Sequence, residues 1–141
     1  MRIGLDFDNT IVSYDTLFFK VALEQKLVPS NTLVSKIAVR DYLRKVDKED
    51  IWTQMQGYVY GSRMGEAEAY PGATSFIKAA KNAGHELAIM SHKTRHPFAG
   101  PKYDLHLAAR GWIEQHLIED GADLIPKEQV FFELTKQEKI K

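Results

Sequence analysis

Three short apolar runs, each ending in polar residues and each separated from the next by sequence of helical period, constrain this fold most. They lie at residues 3–7, 87–90 and 130–132. Each is too short for a buried helix and reads as a strand covered on both faces, the pattern of a parallel sheet. Between the first two, Leu17, Phe18, Val21, Ala22 and Leu27 recur at helical spacing until Pro29 breaks the pattern. Ser30 or Asn31 is the expected cap of a second helix carrying Leu33, Ile37, Leu43 and Val46. Asp47 is the expected cap of a third, carrying Ile51, Trp52, Met55 and Tyr58. Pro71 and Gly72 then punctuate the chain. Phe76, Ile77 and Ala80 mark a helix closed by Gly84. Residues 105–117 form another helix, with Trp112, Ile113 and His116, and Thr135 with Glu138 reads as a capping box. Strands alternating with helices imply an α/β fold with a parallel sheet, its strands near residues 2–6, 86–90 and 129–132.

Composition narrows the function classes. The 141 residues match one domain, and 44% are hydrophobic, enough for a core. There is no cysteine, so disulfides, thiolate zinc sites and a cysteine nucleophile are excluded. Nineteen basic and nineteen acidic residues cancel, so no nucleic-acid or membrane partner held by bulk charge is expected. No apolar run approaches a membrane span, and acids follow residues 3–5 too soon for a secretory leader. A cytoplasmic location is expected. The sequence lacks a Gly-x-x-x-x-Gly-Lys-Ser/Thr loop, which excludes a P-loop enzyme.

Ligands of open parallel sheets bind beyond the carboxyl ends of the strands. Asp6, Asp8, Asn9 and Thr10 follow the first strand, Ser91 follows the second, and Thr135, Lys136 and Lys139 follow the third. In extended backbone, Asp6 and Asp8 would face one way. Two adjacent carboxylates repel unless a proton or a cation relieves them, and Mg²⁺ does so with oxygen ligands. One acid can then act as nucleophile while the other shuttles a proton. Ser91 can hydrogen-bond a phosphate oxygen, and a lysine can offset charge on the transferring group.

The run Asp6-Phe7-Asp8-Asn9-Thr10-Ile11 behind an apolar strand resembles the first motif, Asp-x-Asp-x-Thr, of the haloacid dehalogenase (HAD) superfamily. Tyr70-Pro71-Gly72-Ala73, the helix to Gly84 and the run Leu87-Ala88-Ile89-Met90-Ser91 resemble the segment leading to its second motif. Thr135-Lys136-Gln137-Glu138-Lys139 resembles its third. The likeness covers about residues 1–14 and 70–141. It implies a three-layer α/β sandwich with a Rossmann-like sheet, a HAD-like core of residues 1–13 and 69–141, and a helical cap over 14–68. It also implies a Mg²⁺-dependent phosphomonoesterase working through an aspartyl-phosphate. Asp6 would be the nucleophile, and Asp8 would protonate the leaving group and then activate water. Mg²⁺ would be held by the Asp6 carboxylate and the Asp8 carbonyl. Thr10, Ser91, His92 and Lys136, with Lys139 as the other option, would contact the phosphoryl group of a small phosphorylated substrate. The second acid points to phosphoryl transfer, since dehalogenating members lack it.

The chain departs from that pattern at the fourth motif, an acidic pair after a later strand. Nothing follows Lys141, and Glu119-Asp120, which precedes the lysines, imitates it only superficially. The expectation is a piece of a longer protein, or a chain that binds Mg²⁺ weakly, shows little activity and has its sheet edge covered by a partner copy. Two other readings stand beside the phosphatase: a HAD-like binding protein without catalysis, and a receiver-type signalling module. The second needs its acceptor aspartate after a middle strand, whereas Asp47 and Asp50 lie in helical sequence. His92, Lys93, Arg95 and His96 form a polar loop able to meet an anionic leaving group or to be simply solvated. Tyr58 and Tyr60 are candidates for the cap's inner face, with Trp52 assigned to packing.

Overall fold

The computed structural model describes residues 1–133 and turns the three apolar runs into one parallel sheet. In chain order the strands are β1 (Arg2–Leu5), β2 (Val12–Ser13), β3 (Glu68–Ala69), β4 (Glu86–His92), β5 (Ile118–Glu119), β6 (Ala122–Asp123) and β7 (Val130–Glu133). The α-helices are α1 (Asp15–Glu24), α2 (Lys36–Lys45), α3 (Glu49–Gly61), α4 (Ala73–Asn82) and α5 (Leu105–His116). The sheet order is β1-β4-β7, with Leu5 opposite Ile89 and Ile89 opposite Val130. The central strand is the one whose Leu87, Ala88 and Ile89 are all buried, as a parallel strand between two neighbours requires. All three strands point the same way. The chain therefore leaves β1 at Asp6 and β4 at Lys93 along the same edge.

A separate ladder of two residue pairs joins β2 to β3, antiparallel, with Val12 opposite Ala69 and Ser13 opposite Glu68. The Tyr70 amide extends it by donating to the Ile11 carbonyl at 2.7 Å. The chain thus departs and returns at one place, and between residues 15 and 67 it contains α1, α2, α3 and a single 3₁₀ turn, with no strand. The caps differ from expectation. α2 begins at Ser35, whose Oγ accepts from the Ala38 amide at 3.2 Å, and not at Ser30 or Asn31. The reason is that Leu33 and Val34 remain exposed, so no burial draws that stretch into the helix. Asp47 does not cap α3 either. It takes a left-handed φ of 60°, which a short polar side chain tolerates, and ends α2 instead. α4 closes as its glycine demands: Gly84 has φ 89°, its amide donates to Lys81 and that of His85 to Ala80.

The core runs continuously from the sheet into the helices. Phe7, fully buried, meets Trp112 edge-on at 5.7 Å and Phe132 at 5.5 Å between ring centroids. Trp112 Nε1 donates to the Ala67 carbonyl at 2.9 Å, fastening α5 to the base of the helical excursion. Among the helices, Phe18 packs on Trp52 at 5.1 Å, which gives Trp52 its packing role. After α5 the chain makes a hairpin not foreseen in the sequence, β5 with β6, turning through Asp120 (φ 52°) and Gly121 (φ 79°). That Asp-Gly pair suits a tight hairpin turn. Glu119 and Asp120 are thus exposed residues of the hairpin and not the end of a helix. No helix among the described residues is long and apolar enough to cross a membrane.

Candidate functional site

The segment after β1 folds around one carbonyl. Phe7 O accepts from the amides of Thr10, Ile11 and Val12 at 3.3, 3.0 and 3.2 Å. Asn9 supports this tight turn with a left-handed φ of 62°, and its amide donates to Val12 O at 2.9 Å. Asparagine is among the few non-glycine residues that visit this region readily. The buried Phe7 ring anchors the turn from below, so Asp6 and Asp8 are carried on either side of a fixed point. Asp6 is exposed, and its Oδ1 accepts from the Phe7 amide at 2.8 Å. Asp8 is half-buried and far more engaged.

Two side chains converge on the Asp8 carboxylate. The Tyr14 hydroxyl donates to Oδ1, and Lys93 Nζ lies 3.3 Å from both oxygens. Lys93 is 7% exposed, and its backbone places it. Its amide donates to Glu133 O at 2.7 Å, carrying the β4–β7 ladder one step further, and its carbonyl accepts from His106 Nε2 at 2.6 Å. The ammonium also lies 5.9 Å from the centroid of Phe7 and 5.0 Å from that of Tyr60. A buried ammonium requires a counter-charge, and Asp8 supplies it.

The helices contribute the other wall. Tyr60 of α3 meets Tyr14 edge-on at 4.9 Å and Phe18 at 5.6 Å. Lys36, at the start of α2, donates to the Tyr60 hydroxyl, with its Nζ 5.2 Å from the Tyr60 centroid and 5.5 Å from that of Phe18. Burial, then the nearby Asp8 charge and its hydrogen bond, push the Tyr14 phenol well above its ordinary value. Burial and then Asp8 do the same to Tyr60, so both remain neutral hydroxyls at neutral pH. Burial lowers the Lys36 ammonium; Asp8 works against that shift and Lys93 adds to it.

The residues singled out from the sequence fall into different places. Asp6 and Asp8 flank the Phe7 turn, and Ser91 is buried in β4, two residues before Lys93 and opposite Phe132. Thr10 is exposed and lines a groove with Leu5, Ile11, Pro71, Gly72 and Phe76. His92 is exposed, and its Nδ1 lies 3.7 Å from Glu133 Oε2 across the ladder. Lys136 and Lys139, with the cap at Thr135, lie outside the described residues. Three participants were missed or undervalued: Tyr14, Lys36 and Lys93. Only Lys93 carried a signal, its position directly after a buried strand end.

The fit of a small hard cation follows from these contacts. The Asp6 carboxylate is exposed and holds one amide, whereas the Asp8 carboxylate is already matched by Lys93 and Tyr14. Among the described residues no group of three or more His, Cys, Asp or Glu is placed to hold a metal. The donors suit an ion that keeps several waters and takes one protein carboxylate with substrate oxygens, a habit of Mg²⁺. They do not make an all-protein cage. No protein-family model matches the chain, and no curated protein or solved structure matches it either.

Proposed function

We propose that this chain is a phosphohydrolase of the HAD type, acting on a small phosphomonoester. One observation carries the reading: an exposed strand-end carboxylate, Asp6, stands one turn from a second acid, Asp8, which an ammonium and a phenol hold in place. This lies at the edge of a parallel sheet where ligands collect. In this reading residues 14–68 are the cap over a core of residues 1–13 and 69 onward. An Asp6 oxygen forms the new bond to phosphorus as the bond to the leaving oxygen breaks. Asp8 gives its proton to the leaving oxygen in the first half; in the second it takes one from water, whose oxygen bonds to phosphorus as the phosphorus–oxygen bond to Asp6 breaks. Ser91 hydrogen-bonds the phosphoryl group. Lys93 supplies the positive charge that the sequence reading sought at Lys136 or Lys139. The Asp6 carboxylate and the Asp8 carbonyl would hold Mg²⁺, which neutralises phosphoryl oxygens when bound. Tyr14 fixes the Asp8 carboxylate, and Tyr60 keeps water away from that side of it.

The decisive experiment is hydrolysis of p-nitrophenyl phosphate with Mg²⁺, with and without chelator, by the native chain, Asp6→Asn and Asp8→Asn. Asp6→Asn is expected to abolish turnover, because an amide does not attack phosphorus. Asp8→Asn is expected to slow it ~10²–10⁴-fold. Asp6→Asn turning over at the native rate would remove the nucleophile from this account. A second reading, phosphate binding without turnover, is favoured by one fact: the Asp8 charge is already paired with Lys93. Phosphate binding by the folded native chain, with no hydrolysis of any phosphomonoester, would establish that reading instead. The receiver reading has no such support, since Asp47 sits at the α2–α3 junction and Asp50 in the first turn of α3.

A further inference from the structure

The Lys36 ammonium makes no direct ion pair among the described residues. It is half-buried, and among the described residues no carboxylate comes within ion-pair distance of its Nζ. Its Nζ meets the Tyr60 hydroxyl and lies by the rings of Tyr60 and Phe18, while its backbone amide donates to Asp15 Oδ1 at 2.9 Å. A lysine serving only the surface would extend into water, and one serving only the fold would be matched by a carboxylate, as Lys93 is by Asp8. Lys36 does neither. Two ammoniums lie near the Tyr60 ring, Lys36 at 5.2 Å and Lys93 at 5.0 Å from its centroid. Asp8 pairs directly with Lys93 and acts on Lys36 only at longer range. Of the three N–H bonds of Lys36, Tyr60 occupies one, which leaves two to donate. The Tyr60 hydroxyl accepts from Lys36 and keeps its own proton to give.

We propose that Lys36 and Tyr60 form a subsite for a second negative charge on the substrate, so that the preferred phosphomonoester carries a carboxylate or a further phosphate on its leaving group. This rests on the phosphohydrolase reading for the reaction and on Lys36 alone for the selectivity. The subsite lies on the helical excursion, and Asp8 and Lys93 lie on the sheet side. A substrate anchored at both ends therefore spans the two. A neutral leaving group leaves Lys36 without an anion and forfeits a charge-assisted hydrogen bond, an interaction roughly twice as strong as a neutral one.

The test compares kcat/KM, with Mg²⁺, for methyl phosphate, phosphoglycolate and 1,3-propanediol bisphosphate in the native chain, Lys36→Met and Lys36→Arg. In parallel, calorimetry measures the inert pair methylphosphonate and phosphonoacetate. The native chain should prefer the substrates with a second anion by about 10–100-fold, the size of one hydrogen-bonded charge contact. Lys36→Met should lose that preference, and Lys36→Arg should retain most of it. Phosphonoacetate should bind more tightly than methylphosphonate only while a cation stands at position 36. The stronger of the carboxylate and bisphosphate arms identifies the second anion. Equal turnover of neutral and anionic substrates by the native chain, or a preference that survives Lys36→Met, overturns the subsite and leaves the hydrolase intact. Preference in calorimetry dependent on Lys36, with no turnover of any substrate, keeps the subsite and overturns the hydrolase. Neither binding nor turnover overturns both.

Discussion

Two aromatic clusters divide this molecule, and they do opposite things with similar side chains. Around the sheet, Phe7, Trp112 and Phe132 meet edge-on, and Trp112 spends its only donor on the Ala67 carbonyl. Among the helices, Tyr14, Tyr60, Phe18 and Trp52 pack at similar distances, yet two lysines lie against their rings and two phenols face charges. The first cluster also has cations near its rings, Lys93 at 5.9 Å from Phe7 and Arg110 at 5.5 Å from Phe132, but it carries no hydroxyl. The second leaves polar ends toward Asp8. Aromatic bulk alone therefore says nothing about function; what distinguishes the clusters is the phenol hydroxyls of the second and the charges they meet.

The sharpest way to break the comparison is to remove one tryptophan from each cluster. Trp112→Ala is expected to cost ~3–5 kcal/mol of stability by denaturant unfolding. Trp52→Ala should cost about 1 kcal/mol less, because it forfeits no counterpart of the Ala67 bond. Equal losses would mean that the bond contributes nothing. Next comes the charge pair. Asp8→Asn strands a buried ammonium and should destabilise by ~1–3 kcal/mol, more than Lys93→Met, whose orphaned Asp8 is about one-third exposed and retains Tyr14. If Lys93→Met is the more damaging, the lysine stem and not its charge holds the site. Tyr14→Phe should cost less again, ~1 kcal/mol, since one hydroxyl is lost and the ring stays.

The smallest effect belongs outside both clusters. Arg63 binds Glu24 and Glu66 at the surface, and its hydrogen bonds hold the Glu66 carboxyl down at about 2 against an ordinary 4.5. A carboxyl lowered in the folded state adds stability above its unfolded value and loses it as pH falls. Stability should therefore decline between about pH 4.5 and 2. Arg63→Met should flatten that decline slightly, as surface ion pairs contribute little. A thermal melting series across those pH values reads it, and an unchanged slope would assign the decline to other carboxyls.

The strands were legible because burial on both faces leaves a continuous apolar run, clearest at Leu87, Ala88 and Ile89. The position of Asp6 and Asp8 at the sheet edge was legible because they directly follow such a run. The caps were not, because Ser30, Asn31 and Ser35 are equivalent until one knows that Leu33 and Val34 find nothing to bury against. Lys36 and Tyr14 were illegible for a related reason. Their roles depend on where α2 and α3 fold back, and no local spacing records that Lys36 will reach Tyr60, twenty-four positions along. Lys93 stood in view, but a lysine in a polar loop looks solvated until the β4–β7 ladder is seen to continue through its amide.

The two-rung ladder between β2 and β3 has a consequence for how such a chain can change over generations. Since Val12 and Ala69 are already hydrogen-bonded neighbours, the entropy of joining them is set by the ladder, and lengthening the excursion adds only a slowly growing term. Changes of length in the loops between the helices beyond that neck need not shift the register of the sheet, while α3 stays packed on α5. Asp8 and Lys93 lie on the sheet side of the neck, while Tyr14, Lys36 and Tyr60 lie on the helical side. The residues proposed to react and those proposed to select thus sit on opposite sides of a two-rung ladder.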